Sequence, residues 1–61
     1  MNEAEPKLYE GDIVHLGAKH NFDNGPVTQI HLYTEFGFYR YTIKGNLGTY
    51  HLFEDELERM Q

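Results

Sequence analysis

Short stretches in which apolar and polar residues alternate, separated by glycine-bearing turns, run through this chain. The first covers about Asp12 to Leu16, where Val14 and Leu16 share one face and Ile13 and His15 the other, the period of two of a half-buried strand. Gly17 to Gly25 reads as a loop closing on Asp23-Asn24-Gly25-Pro26, because Asn and Gly tolerate positive φ and proline presets the φ that follows. A second strand is predicted from Val27 to Tyr33. Its inward set, Val27, Ile30 and Leu32, slips phase between Val27 and Ile30, which predicts a β-bulge or a sharp bend. Thr34-Glu35-Phe36-Gly37 then connects to a third strand, Phe38 to Ile43, with Tyr39, Tyr41 and Ile43 on one face and Phe38, Arg40 and Thr42 on the other. The stretch from Lys44 to Gly48 is a glycine-rich hairpin turn, and the fourth strand, Thr49 to Phe53, points Tyr50 and Leu52 inward. Glu54 to Arg59 is too short to hold a helix alone, so one 3-10 or helical turn docked through Leu57 is expected, with room for a short fifth strand.

Four to five short antiparallel strands with regularly spaced turns predict an all-β fold, closed or nearly closed into a small barrel. Closure would also remove sheet edges that so small a domain has little means to protect. At 61 residues the chain is one domain, residues 1–61. Residues 1–7, polar and containing Pro6, read as a disordered tail, and the barrel as about residues 8–59.

A chain of this length buries only about 60% of the surface its unfolded form exposes. With no cysteine, no disulfide reinforces it, and a reducing compartment suits it. The expected core is Val14, Leu16, Val27, Ile30, Leu32, Tyr39, Tyr41, Ile43, Tyr50, Leu52, Phe53 and Leu57. Each contributes about 1.5–3 kcal/mol on full burial. That leaves no volume for an enclosed active site, so function is expected on the surface. The N-terminus has no apolar signal-peptide core and no apolar run approaches a membrane span, which gives a cytoplasmic expectation without membrane partners.

Ten acidic against five basic side chains give a formal charge of −5. Lys7, Lys19, Arg40, Lys44 and Arg59 are scattered, which counts against binding to nucleic-acid backbones. No serine or cysteine is present as a nucleophile, and Asp12, Asp23, Glu10 and Glu35 are not paired by sequence, so no catalytic residue is assigned and no enzyme is expected. Gly45-Asn46-Leu47-Gly48 has no helix after it to receive a phosphate. His15, His31 and His51 fall on the outward phase of their strands without metal-ligand spacing. Solvent-facing strand positions explain them, and no metal or other cofactor is assigned.

The opening Tyr9-Glu10-Gly11-Asp12-Ile13-Val14, the long loop, the three-strand meander with Tyr39-Arg40-Tyr41-Thr42-Ile43, and the close Phe53-Glu54-Asp55-Glu56-Leu57-Glu58 together resemble the SH3-like small barrels of bacteria and phages. The chain is most similar to the YorP-type family of Bacillus prophage proteins. The resemblance covers about fifty residues and implies a fold rather than an activity. It also implies a phage or prophage accessory protein acting on a host protein. The chain departs from the proline-rich-peptide binders of this fold class, since it has neither Trp nor an ALYDY-type segment.

Two groups of residues are candidates for function. Five Tyr and four Phe exceed what so small a core can hold, and Tyr33, Phe36 and Phe38 gather at the second connection, with Tyr9 and Phe22 as possible neighbours. They read either as a contact surface or as packing at the barrel end. Glu54, Asp55, Glu56 and Glu58 form an acidic patch that reads either as a decoy for a nucleic-acid-binding protein or as a solvated terminus. The leading expectation is therefore a small non-catalytic protein-binding module, with Tyr33, Phe36, Phe38 and the loop from Gly17 to Gly25 as its face. The acidic decoy comes second and direct nucleic-acid binding third. Oligomeric state is left open.

Overall fold

A computed structural model describes residues 5–59. The predicted tail falls partly on residues 1–4, which lie outside that range. Four strands make one antiparallel sheet in the order β1-β2-β3-β4: β1 Ile13–His15, β2 Asn24–Tyr33, β3 Phe38–Lys44 and β4 Thr49–Phe53. A 3-10 turn at Ala18–His20 lies between β1 and β2, and a short helix, α1 (Glu54–Arg59), follows β4 directly. The fold is all-β in character. The sheet is open, because no pairing joins β1 to β4 among the described residues.

β2 is the spine of the sheet. Its first residues pair with β1 (Val14 opposite Gly25), and from Val27 onward it pairs with β3 (Val27 opposite Ile43, Tyr33 opposite Phe38). The register shifts between Val27 and Gln29, so Thr28 is the extra residue of the predicted bulge, and its Oγ1 donates to the Thr42 carbonyl at 3.3 Å.

β2 starts earlier than the turn signal at Asp23-Asn24-Gly25-Pro26 predicts, and the loop from Gly17 is correspondingly shorter. Two residues explain the difference. A Cβ on Gly25 would overlap the Lys44 carbonyl, so glycine here permits a backbone crossing and is not the tip of a turn. Pro26 stands opposite Ile13, between the hydrogen-bonded Val27–Asp12 and Leu16–Asp23 connections. By the alternation of an antiparallel ladder this is a non-hydrogen-bonded position, where the missing N–H costs nothing.

Val14, Leu16, Val27, Tyr41, Ile43, Leu52 and Leu57 form the buried core, and Leu8, Ile30, Tyr39 and Tyr50 pack against it. Two expected core residues are elsewhere. Leu32 points to the inner side but is 39% exposed, because its partner Tyr39 lies beyond the end of β4, whose last residue Phe53 pairs with Arg40. Phe53 is half-buried and lies on the opposite face from its neighbour Leu52, as strand alternation requires.

Helix α1 carries Glu54, Asp55 and Glu56 in its first turn, where carboxylates complement the helix dipole. Glu56 Oε1 accepts the Phe53 N–H at 3.2 Å, half of a capping box. Tyr41, fully buried, accepts the Lys7 N–H at 2.8 Å through its hydroxyl and donates to Glu54 Oε2 at 3.0 Å. The segment before β1 and the start of α1 are thus tied through one phenol.

Candidate interaction surface

Strand pairing fixes the composition of the outer sheet face. His31, Arg40 and Phe53 stand in one row across β2, β3 and β4, and Gln29, Thr42 and His51 in the next. Tyr33 faces Phe38, and Lys44 faces Thr49. The turn Thr34–Gly37 closes this end of the sheet: the Tyr33 carbonyl accepts the N–H groups of Phe36 at 3.0 Å and Gly37 at 2.8 Å. Gly37 takes φ of 76°, a value that favours glycine, and the turn brings Phe36 back beside Phe38.

The sequence-predicted trio Tyr33, Phe36 and Phe38 does come together. Phe36 and Phe38 stack at 5.5 Å between centroids with 13° between planes, and Tyr33 lies 6.5 and 6.4 Å from them. Phe36 is 65% exposed and Phe38 37%, and neither belongs to the core cluster. Phe53 completes the patch from β4, edge-on to Phe38 at 5.2 Å and 5.7 Å from Tyr33. Phe53 is one of the residues expected in the core. The signal against that was present, since Leu52 inward forces Phe53 outward.

On the far side of Tyr33 lie His31, at 4.6 Å between rings, and the Arg40 guanidinium, 5.5 Å from the Tyr33 centroid, a cation–π arrangement. Tyr9 and Phe22 are exposed, and neither makes a ring contact with the patch among the described residues.

The acidic run borders the aromatic patch. An open cleft of about 370 Å³ is lined by Phe38, Phe53, Glu54, Asp55 and Lys7. Glu54 and Glu56 are engaged with Tyr41 and the Phe53 N–H, so part of the run serves the fold. Asp55 is exposed, and the side chain of Glu58 lies outside the described residues.

Among the described residues the carboxylate with the most hydrogen-bond donors around it is Asp23, a loop residue that nothing in the sequence pairs. It is buried, and its two oxygens accept the N–H groups of Asn24, Asn46 and Leu47 and the Tyr50 hydroxyl, at 2.8–2.9 Å. Burial opposes its ionisation, but the donors from Leu47, Tyr50, Asn46 and Asn24 outweigh it and hold the carboxyl well below the usual range. The Tyr50 phenol is pushed up by that hydrogen bond to Asp23, and further by burial. With all four contacts made inside the fold, this is an anchor for the loop between β3 and β4. The glycines on either side of the contact, Gly25 and Gly45, are the only local trace of it in the sequence.

Of the histidines, His15, His31 and His51 are exposed, and His51 Nδ1 lies 3.0 Å from Thr42 Oγ1. Among the described residues no three or more His, Cys, Asp or Glu side chains gather as metal ligands do. No described helix is long and apolar enough to cross a membrane.

In comparisons with protein-family models, curated proteins and solved structures, this chain finds no match.

Proposed function

We propose that this chain is a small non-catalytic protein-binding module whose contact surface is the aromatic end of the outer sheet face: Tyr33, Phe36 and Phe38, joined by Phe53. The observation that carries this reading is the stacked Phe36–Phe38 pair, held on a sheet and a tight turn, with Phe36 mostly and Phe38 partly in solvent. Aromatic side chains fixed in this way lose little entropy on binding and dominate protein interfaces where they cluster. The fold is read as an SH3-like small barrel left open between its first and last strands, and a phage or prophage accessory role on a host protein follows from the family resemblance alone. The absence of cysteine suits a reducing, cytoplasmic setting. The acidic decoy is the weaker reading, because Glu54 and Glu56 already hold groups of their own fold.

The test is affinity capture from a lysate of the source organism or its host, with nuclease, at low and high salt. A protein retained through nuclease and high salt, and lost with Phe36→Ala/Phe38→Ala, supports the aromatic surface. Retention at low salt only, abolished by neutralising Asp55 and Glu58, would replace it with the decoy.

A further inference from the structure

Net charge conceals how charge is distributed over this molecule. The chain carries ten acidic and five basic side chains, yet strand register puts no Asp or Glu on the outer faces of β2, β3 and β4 from Gln29 to Phe53. The same register gathers Arg40, Lys44, His31 and His51 there. The cations look scattered in sequence because a sheet brings together residues from separate strands. Among the described residues, carboxylates stand at its margins, Glu35 in the turn beside Phe36 and Glu54 and Asp55 in the cleft that Phe38 also lines.

Arg40 is central to this face. It stands between His31 and Phe53 in its row and lies over the Tyr33 ring. Among the described residues it makes no ion pair, and its Nε, shut away from solvent, has no acceptor. A guanidinium so placed presents a planar fork beside a hydrophobic surface, and among the described residues no carboxylate pairs with it.

We infer that Arg40 is the polar anchor of the interaction surface, and that the partner is a protein segment presenting an Asp or Glu next to an apolar side chain. The carboxylate pairs with the Arg40 guanidinium while the apolar side chain covers Phe36 and Phe38. This inference rests on the protein-binding reading above and adds the chemistry of the partner. A nucleic-acid strand fits less well. Among the described residues Arg40 and Lys44 are the only Lys or Arg on the outer faces of these strands, and with Lys7 in the adjoining cleft they are too few to displace the counterions of a phosphate backbone on a chain of charge −5.

The experiment is selection of a random peptide display library against the full chain, followed by synthetic peptides and their Glu→Gln or Asp→Asn counterparts. Three variants serve as readouts: Phe36→Ala/Phe38→Ala, Arg40→Gln, and Arg40→Lys, which keeps the stem and charge but loses the fork. The expected peptides carry an acid within a residue or two of an apolar side chain. They lose about tenfold or more in affinity with Arg40→Gln or with their own acid neutralised. Arg40→Lys recovers part of the loss, and an Arg40→Glu protein regains binding to a peptide whose acid is replaced by Lys. Peptides that depend on Phe36 and Phe38 but bind Arg40→Gln unchanged would overturn the anchor and leave the aromatic surface standing. A selection with no binder sensitive to Phe36→Ala/Phe38→Ala would overturn both. Saturable binding of an oligo-dT strand, lost with Arg40→Gln, would assign the face to nucleic acid instead.

Discussion

Tyr50 and Asp23 stand 27 positions apart, and the Tyr50 hydroxyl donates to Asp23 Oδ2 at 2.8 Å. This contact, with the Asn46 and Leu47 N–H groups on the same carboxylate, fastens the start of β2 to the loop between β3 and β4. It organises the sheet without help from a disulfide. The aromatic face occupies the other side and other end of the same sheet, so the network that holds the fold and the surface proposed for binding are separable by mutation.

Asp23→Asn removes the charge and turns one acceptor into a donor facing N–H groups. The expected result is a fall in Tm on the order of 10 °C, measured by circular dichroism. The pH dependence follows from the two shifts. The folded-state pKa of Asp23 is depressed, so its contribution is full above the ordinary value of 3.8 and is lost as pH falls below it towards the folded value. That of Tyr50 is raised, so its contribution is full below the ordinary value of 10.0 and is lost as pH rises through the folded value. Stability should therefore hold across neutrality and decline at both ends, and Asp23→Asn should flatten the acid limb. An unchanged acid limb in the variant would remove Asp23 from this role.

Gly25 and Gly45 are fixed by close approach: a Cβ would overlap the Lys44 carbonyl at the first and the Asp23 carboxylate and Tyr50 ring at the second. Gly25→Ala and Gly45→Ala should each cost about 1–3 kcal/mol in urea unfolding. Gly48 has open space around its Cβ position, so Gly48→Ala should be neutral or slightly stabilising. Equal effects at all three positions would contradict the crossing geometry.

Leu32 and Ile43 are both inward by strand phase, and only Ile43 is enclosed. Ile43→Ala should destabilise by about 2–5 kcal/mol, while Leu32→Ala should cost less than about 1.5 kcal/mol, because the exposed position leaves no sealed cavity. Thermal or urea melts of the two variants make the comparison.

What the sequence disclosed and what it hid divide along local and long-range lines. The slip of phase at Val27–Ile30 revealed the bulge at Thr28, since alternation is set by neighbours along one strand. The outward positions of His15, His31 and His51 were legible for the same reason. Burial of Asp23 was not, because it depends on a loop more than twenty residues away closing over it. Gly25 and Pro26 carried a genuine turn signal that the tertiary crossing at Lys44 overrode. At the candidate surface, Tyr33, Phe36 and Phe38 lay close enough in sequence to be grouped, whereas Phe53 joined them only through the register of β3 with β4, and Arg40, already on the Phe38 face of β3, met Tyr33 only through the register of β2 with β3.

The aromatic contact surface is tested most directly by the binding of a captured or selected protein ligand to the wild-type chain and to Phe36→Ala/Phe38→Ala, each first shown to unfold cooperatively. If the aromatic face is the contact surface, the variant's Tm stays within a few degrees of wild type, because both rings stand outside the core, and its affinity falls by at least about tenfold. A variant that loses its fold would return Phe36 and Phe38 to a packing role. A folded variant that binds as well as wild type would contradict the proposed surface outright.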